Sequence, residues 1–360
     1  MRGIKEFYLS LESYLRAAPK AELHVHLEGS IQPATLLTLA ARNGVPLPAD
    51  TVAGLRDWFT YRDFAHFVEI YITITQCLKT AEDYELIAYE LGAELARQNV
   101  RYAEVTFTPG THHGFGVPHE AYFGGLTRGR ERARQDFGVE LAWVFDIVRD
   151  VSPEERHHAY ADYTVAVAIE GQSDGVVALG LAGIEGSYPS ERFAPYFERA
   201  RAAGLHSTIH AGETKGPESV WDALRALDAE RIGHGVRAIE DPALVAYLVA
   251  HGIPLEVCPT SNVRLGVYPS LAAHPLPQLR AAGVTLTINS DDPPLFNTTI
   301  DDEAALLADP FGLDAAAADE ILLNGARHSF LPSARKRALE ESLRADLTSL
   351  KETHLPDIGG

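Results

Sequence analysis

Apolar positions along this chain gather into short runs. Turn-forming residues bound them, and stretches with helical periodicity separate them. Eight runs stand out, at 22–27, 101–108, 139–148, 176–181, 205–210, 231–234, 254–257 and 284–289. Most are nearly unbroken in hydrophobicity rather than alternating. Strands of a parallel sheet covered by helices read that way, because neither face meets water. The stretches between them read as helices. Over 190–203, Phe193, Tyr196, Phe197 and Ala200 form an i, i+3, i+4, i+7 stripe that stops at Gly204. Over 242–250, Asp241 stands as N-cap, Pro242 opens the first turn and Gly252 lies just past the end.

Strand and helix alternating eight times predict an α/β fold, a (β/α)₈ TIM-type barrel, although a doubly wound open sheet shares the local pattern. The first crossover, about 30–100, is far longer than one helix requires and predicts a helical insertion after the first strand, over the barrel mouth. Residues 164–169 also read as a strand. Only 170–175 separate them from the run at 176, and a parallel crossover needs about a dozen residues. They are therefore assigned to the end of a helix. No repeat, low-complexity tract or linker interrupts the pattern, so a single barrel domain is expected over 1–360.

The composition narrows the partners. With 46% hydrophobic and 22% charged residues, the chain has material for an ordinary core. Fifty acidic against 31 basic residues give a net charge of −19. Such a surface repels nucleic-acid phosphates and anionic lipid, and leaves a small neutral or cationic substrate as the expected partner. A homo-oligomer is compatible with it. The two cysteines, Cys77 and Cys258, form no C-x-x-C pair, which argues against a disulfide framework and for a reducing, cytoplasmic setting. The first twenty residues interleave charges with apolar positions and show no secretory pattern. Nowhere is there a run of about 18 uncharged apolar residues, so no membrane span is expected.

Chemistry concentrates at predicted strand ends. His24 and His26 lie two apart in the first run, and side chains at i and i+2 leave a strand on the same face, able to grip one ion. His210 ends the fifth run, His234 ends the sixth, and Asp291 and Asp292 follow the eighth. In a (β/α)₈ barrel, functional side chains gather at the C-terminal ends of the strands. Three imidazoles and a carboxylate suit zinc, with room for a water whose pKa the ion would lower. Glu213, three residues past His210, is placed to act as a general acid if its pKa is raised. Spacing leaves open whether His234 is a further ligand or a base that orients the water.

At these residues the chain resembles the adenosine deaminase family of the amidohydrolase superfamily. The matching stretches are PKAELHVHLEG at 19–29, LAG at 181–183, HAGE at 210–213, GHG at 233–235, CPTSN at 258–262 and SDDP at 290–293. They come in the family's order and span nearly the whole chain. The resemblance implies hydrolytic removal of the 6-amino group of an adenine nucleoside. It implies one Zn²⁺ per chain, on His24, His26, His210 and Asp291. Glu213 would protonate purine N1. His234 would orient and deprotonate the attacking water, with Asp291 assisting. Asp292 would bond N7, the Gly183 backbone would meet the N3 side, Glu28 would meet the sugar end, and Phe64 and Phe67 would wall the pocket. The cytidine-deaminase pattern, H-x-E with P-C-x-x-C, is absent from the sequence.

Three departures bear on the substrate. Many adenosine deaminases carry Asp in place of Gly180 and Asp or Asn in place of Ile184. Glu28 replaces the shorter Asp of the animal enzymes. The adenine-base branch typically carries Asp where this chain has Gly233, which favours a nucleoside. Residues 101–109 and 176–181 look most like the bacterial branch that acts on aminodeoxyfutalosine, an adenine nucleoside of menaquinone biosynthesis with a bulky aromatic 5′ group. Gly180 and a glycine-rich loop at 110–116 are expected to make room for that group, and His112 and His113 are candidates to meet its carboxylate. Adenosine is the close alternative. Adenine itself, another amidohydrolase activity, and an inactive nucleoside-binding relic are the remaining readings.

Overall fold

The computed structural model describes residues 10–150 and 154–356. Eight parallel strands pair in chain order: β1 (Lys20–His26), β2 (Val100–Phe107), β3 (Glu140–Val148), β4 (Val176–Ala182), β5 (His206–Ala211), β6 (Arg231–His234), β7 (Leu255–Val257) and β8 (Leu286–Ile288). All eight fall on the apolar runs. The strands β1, β6, β7 and β8 are buried along their whole length, as a sheet hidden on both faces requires. The last seam closes through a parallel bridge between Val25 and Asp291. Asp291 N donates to His24 O at 3.0 Å and His26 N donates to Asp291 O at 2.9 Å. The barrel thus closes on residues that carry the candidate chemistry.

Residues 164–169 lie inside the helix Glu154–Glu170, as expected. Two readings need correction. The stretch 110–116 is not an open loop but mostly a short helix, Pro109–Gly114, begun by a proline at its first position. The stripe at 190–203 divides into a 3₁₀ turn, Ser190–Phe193, and a helix, Ala194–Ala202.

The long first crossover holds four helices: Pro33–Asn43, Val52–Trp58, Phe64–Thr75 and Ala81–Arg97. The fourth packs along His119–Phe137 outside the barrel and feeds β2. The third is capped by Asp63, which accepts from His66 N at 2.8 Å. Its Phe67 stacks on Phe296, just past β8, with ring centroids 5.5 Å apart. That contact holds the helix over the C-terminal end of the barrel.

The barrel interior is not wholly apolar. Arg231 on β6 pairs with Glu104 on β2 and Glu256 on β7, each at 2.6 Å, and its guanidinium lies 3.7 Å over the Phe330 ring. Buried charge is tolerated only when paired in this way. The Glu256 end of this network reaches the candidate site.

Candidate active site

The strand ends bring His24, His26, His210, His234 and Asp291 together. Donor atoms of His24, His210 and His234 lie within 4.8 Å of one another, as do those of His26, Asp291 and Asp292. His26 Nε2 stands 3.3 Å from both His210 Nε2 and Asp291 Oδ1. Glu256 Oε2 sits 2.9 Å from His24 Nδ1. A proton held there leaves the Nε2 lone pair of His24 facing the cluster, the usual arrangement behind a metal-binding imidazole. That Nε2 is buried and has no hydrogen-bond partner among the described residues. Converging nitrogens beside a carboxylate, with one nitrogen orphaned, fit a divalent ion of the zinc class. Cys258 is also near. Burial holds its pKa well above the ordinary thiol value, and its Sγ faces Glu256 O at 3.6 Å, so it stays a neutral thiol.

Two members of the cluster are backbone outliers. His234 and Asp291 have φ of 61° and 63°, a left-handed conformation that costs a non-glycine residue energy and tends to mark functional sites. Asp291 is also fixed by Ser261 Oγ, which donates to Oδ2 at 2.6 Å. Burial opposes its charge, but the hydrogen bond and charge of His24 beside it outweigh that and keep it a carboxylate. Asp292 has no such support. Burial and the neighbouring Asp291 charge push its pKa well up, and its Oδ1 lacks a partner. Gly29 makes room for this carboxyl, since a Cβ there would fall 1.6 Å from Asp292 Oδ1.

Glu213 faces His234 Nε2 across 3.7 Å. Burial, then the Asp291 and Glu185 charges, raise its pKa well above the usual carboxylate range. Glu185 also builds the turn that presents Glu213. Its carboxylate accepts from the backbone N–H of Gly212, Glu213 and Thr214, each at 2.9 Å, and from Ser219 Oγ at 2.6 Å.

The protonation of His234 can be followed from a fixed end. Leu276 N–H can only donate, and it meets His274 Nδ1 at 3.2 Å. The His274 proton therefore sits on Nε2, 3.1 Å from Asn262 Oδ1. The amide end of Asn262 then faces His234 Nδ1 at 3.2 Å. With Nδ1 accepting, His234 carries its hydrogen on Nε2, toward Glu213 and Asp291. Burial lowers its pKa to about 3, so the ring is neutral.

These groups open into a cavity of about 420 Å³, lined also by Phe64, Phe67, Tyr71, Gly183, Glu213 and Asp292. Three expected positions differ. Glu28 is fully buried behind the wall. It accepts from Thr108 N at 3.1 Å and Tyr71 OH at 3.2 Å and meets His112 Nε2 at 3.0 Å, so Tyr71 and Thr108 face the cavity in its place. His112 is spent on Glu28 and Tyr84, and His113 stacks on Tyr163 at 3.9 Å. Thr111, Gly114 and Phe115 line the cavity from that segment.

The sequence reading missed Glu256, Asn262, His274, Glu185 and Asp146. Glu256 and Asp146 were visible as charges inside apolar strand runs, and Asn262 as part of CPTSN. Nothing marked His274, which only the folded chain brings to Asn262.

The adenosine deaminase family profile matches residues 19–346. The chain is 45% identical to the aminodeoxyfutalosine deaminase of Streptomyces avermitilis, over 91% of this chain and 90% of that protein. It is 38% identical to the adenine deaminase of Albidiferax ferrireducens, over 91% and 93%. Among solved structures, it resembles the adenine deaminase of Arthrobacter aurescens with TM-score 0.85 and 33% identity, covering 92% of this chain and all of that one. It resembles a Burkholderia ambifaria amidohydrolase with bound zinc with TM-score 0.86 and 27% identity, covering 97% and 96%. With its strand-end histidines, paired aspartates and sheltered glutamate converging on one cavity, this chain belongs to the adenosine deaminase family.

Proposed function

We propose that the chain hydrolyses the 6-amino group from an adenine nucleoside, releasing ammonia, with aminodeoxyfutalosine as the leading substrate and adenosine next. As a hydrolase of carbon–nitrogen bonds it shares the activity of its relatives, which act on adenine or an adenine nucleoside. His24, His26, His210 and Asp291 would hold one Zn²⁺, which when bound makes water a usable nucleophile near neutral pH. The observation that carries the reading is Glu213: a buried carboxyl with Oε1 unpartnered among the described residues, beside His234 and the cluster, its pKa raised by burial and by the Asp291 and Glu185 charges.

The residues divide the work by protonation state. Glu213 gives its proton to N1, which makes C6 electrophilic. Asp292, also protonated, donates to the N7 acceptor. The Gly183 backbone meets the N3 side. His234 presents Nε2–H and holds the attacking water in line. The proton leaving that water then passes to the Asp291 carboxylate, which takes over the deprotonating half of the role expected of His234 and hands the proton to the amine as the C6–N bond breaks, so that ammonia leaves.

The leading substrate draws on the 45% identity and on the shape of the cavity. Phe64, Val68, Ile72 and Phe115 are among the residues that line the cavity, and Arg156 is its single Lys or Arg among the described residues. An aromatic 5′ group carrying a carboxylate suits a cavity whose walls combine aromatic and aliphatic side chains with one cation. Adenine itself is the second reading, supported by adenine deaminases at 38–40% identity.

The test is a substrate panel, with loss of adenine absorbance followed for adenine, adenosine, 5′-substituted adenosines and aminodeoxyfutalosine. Turnover of adenine alone refutes the nucleoside reading. Glu213→Gln is expected to abolish turnover while zinc stays stoichiometric, and loss of zinc in that variant refutes its role as the acid.

A further inference from the structure

We propose that Asp146 forms, with Thr108, a subsite for a sugar hydroxyl of the bound nucleoside. This rests on the nucleoside reading above. Asp146 lies on β3 and is 2% exposed, yet its carboxyl lines the cavity shared by Gly183, Glu213 and Asp291. Its Oδ1 is buried without a hydrogen-bond partner among the described residues. Thr108, on the adjoining β2 end, lines the same cavity and hydrogen-bonds the carboxyl. A buried polar atom left unpaired carries the full cost of lost hydration, so such atoms are rare unless something else satisfies them.

In the binding mode proposed above, the strand register sets this carboxyl toward the sugar end. Asp146 pairs with Gly180 on β4, and Gly183 follows three residues along. A Cβ at Gly180 would fall 2.9 Å from Asp146 Cβ, so the glycine leaves the carboxyl its place. In that mode Glu213, Asp292 and the zinc ligands meet the edge of the purine that bears the amine. Gly183 marks the opposite, N3 edge, next to N9 and its sugar. Burial, reinforced by the Glu28 charge, lifts the Asp146 pKa to about 8. A protonated carboxyl both donates and accepts, as a hydroxyl does. Free adenine has no hydroxyl and would leave Oδ1 unpaired. Asp146 is therefore a residue that favours nucleosides over the base.

The test measures binding, so it does not depend on turnover. Zinc-loaded Glu213→Gln enzyme is titrated calorimetrically with adenosine, 2′-deoxyadenosine, 3′-deoxyadenosine and adenine. Asp146→Ala is then added to that background. Adenosine is expected to bind roughly 10- to 100-fold more weakly. For one deoxy analogue the same substitution is expected to cost less than about threefold, because its bond is already missing. Adenine affinity is expected to stay unchanged. Asp146→Asn, which keeps the shape and a donor, is expected to recover part of the loss. Equal weakening of all four ligands, or no weakening of adenosine, overturns the subsite. If the enzyme before the Asp146 change binds adenine but no nucleoside, the nucleoside reading fails instead.

Discussion

Asn262→Asp tests the hydrogen-bond chain behind His234. The substitution is isosteric, and the His274 Nε2–H can still donate to one oxygen. The other oxygen faces His234 Nδ1 at about the present 3.2 Å and can only accept. The imidazole then holds its hydrogen on Nδ1 and presents a bare Nε2 to the water. The productive tautomer loses a neutral hydrogen bond, about 1 kcal/mol, and the unproductive one gains a charge-assisted bond, about 1.5–3 kcal/mol. The sum, about 2.5–4 kcal/mol, corresponds to roughly a 10²- to 10³-fold fall in kcat at about 1.4 kcal/mol per decade. Zinc content should be unchanged, since His24, His26, His210 and Asp291 keep their contacts. The assay is steady-state kinetics beside metal analysis, with ¹⁵N spectra of the ring nitrogens reporting the tautomer. A kcat within about threefold of wild type, with the tautomer visibly switched, refutes the donor role given to His234.

Other outcomes follow from the same structure. Arg156→Gln at the cavity mouth should raise KM for aminodeoxyfutalosine by roughly 5- to 20-fold, less at high salt, because the charge is exposed and screened. KM for adenosine should hardly move, and equal effects on both would show that Arg156 does not meet the 5′ group. Glu303 is a fully buried carboxyl on Thr260 N and Thr298 Oγ1, raised by burial to about 7. An unfolded chain releases that proton near about 4.3. Between these values the native state binds the extra proton, so stability falls as pH rises toward 7 and levels off above it. Glu303→Gln should flatten this slope in melting curves of the metal-free protein, and a slope equal to wild type would contradict the assignment.

How much was legible beforehand varied with the kind of interaction. The eight strands were readable because burial on both faces demands unbroken apolar runs. Likewise, His24 and His26 were readable because a strand fixes the direction of alternate side chains. His210, His234 and Asp291 needed only the rule that barrel chemistry sits at strand C-termini. Helical structure at 110–116 was hidden by its glycines and histidines, which suggest a loop until Pro109 is seen to start a turn.

The sequence by itself determined which elements form and which side chains are chemically able to bind a metal or carry a proton, since both are local properties. Tertiary structure alone decided what each of those groups does. Glu28 turned from the cavity because Thr108, Tyr71 and His112 claim its oxygens. Asp146 acquired a place on the cavity wall with one buried oxygen unpaired among the described residues, and Leu276 set the His234 tautomer through two intervening side chains. Protonation state and hydrogen-bond direction depend on neighbours from distant parts of the chain, within a few ångströms in space, and no spacing along the polypeptide encodes them.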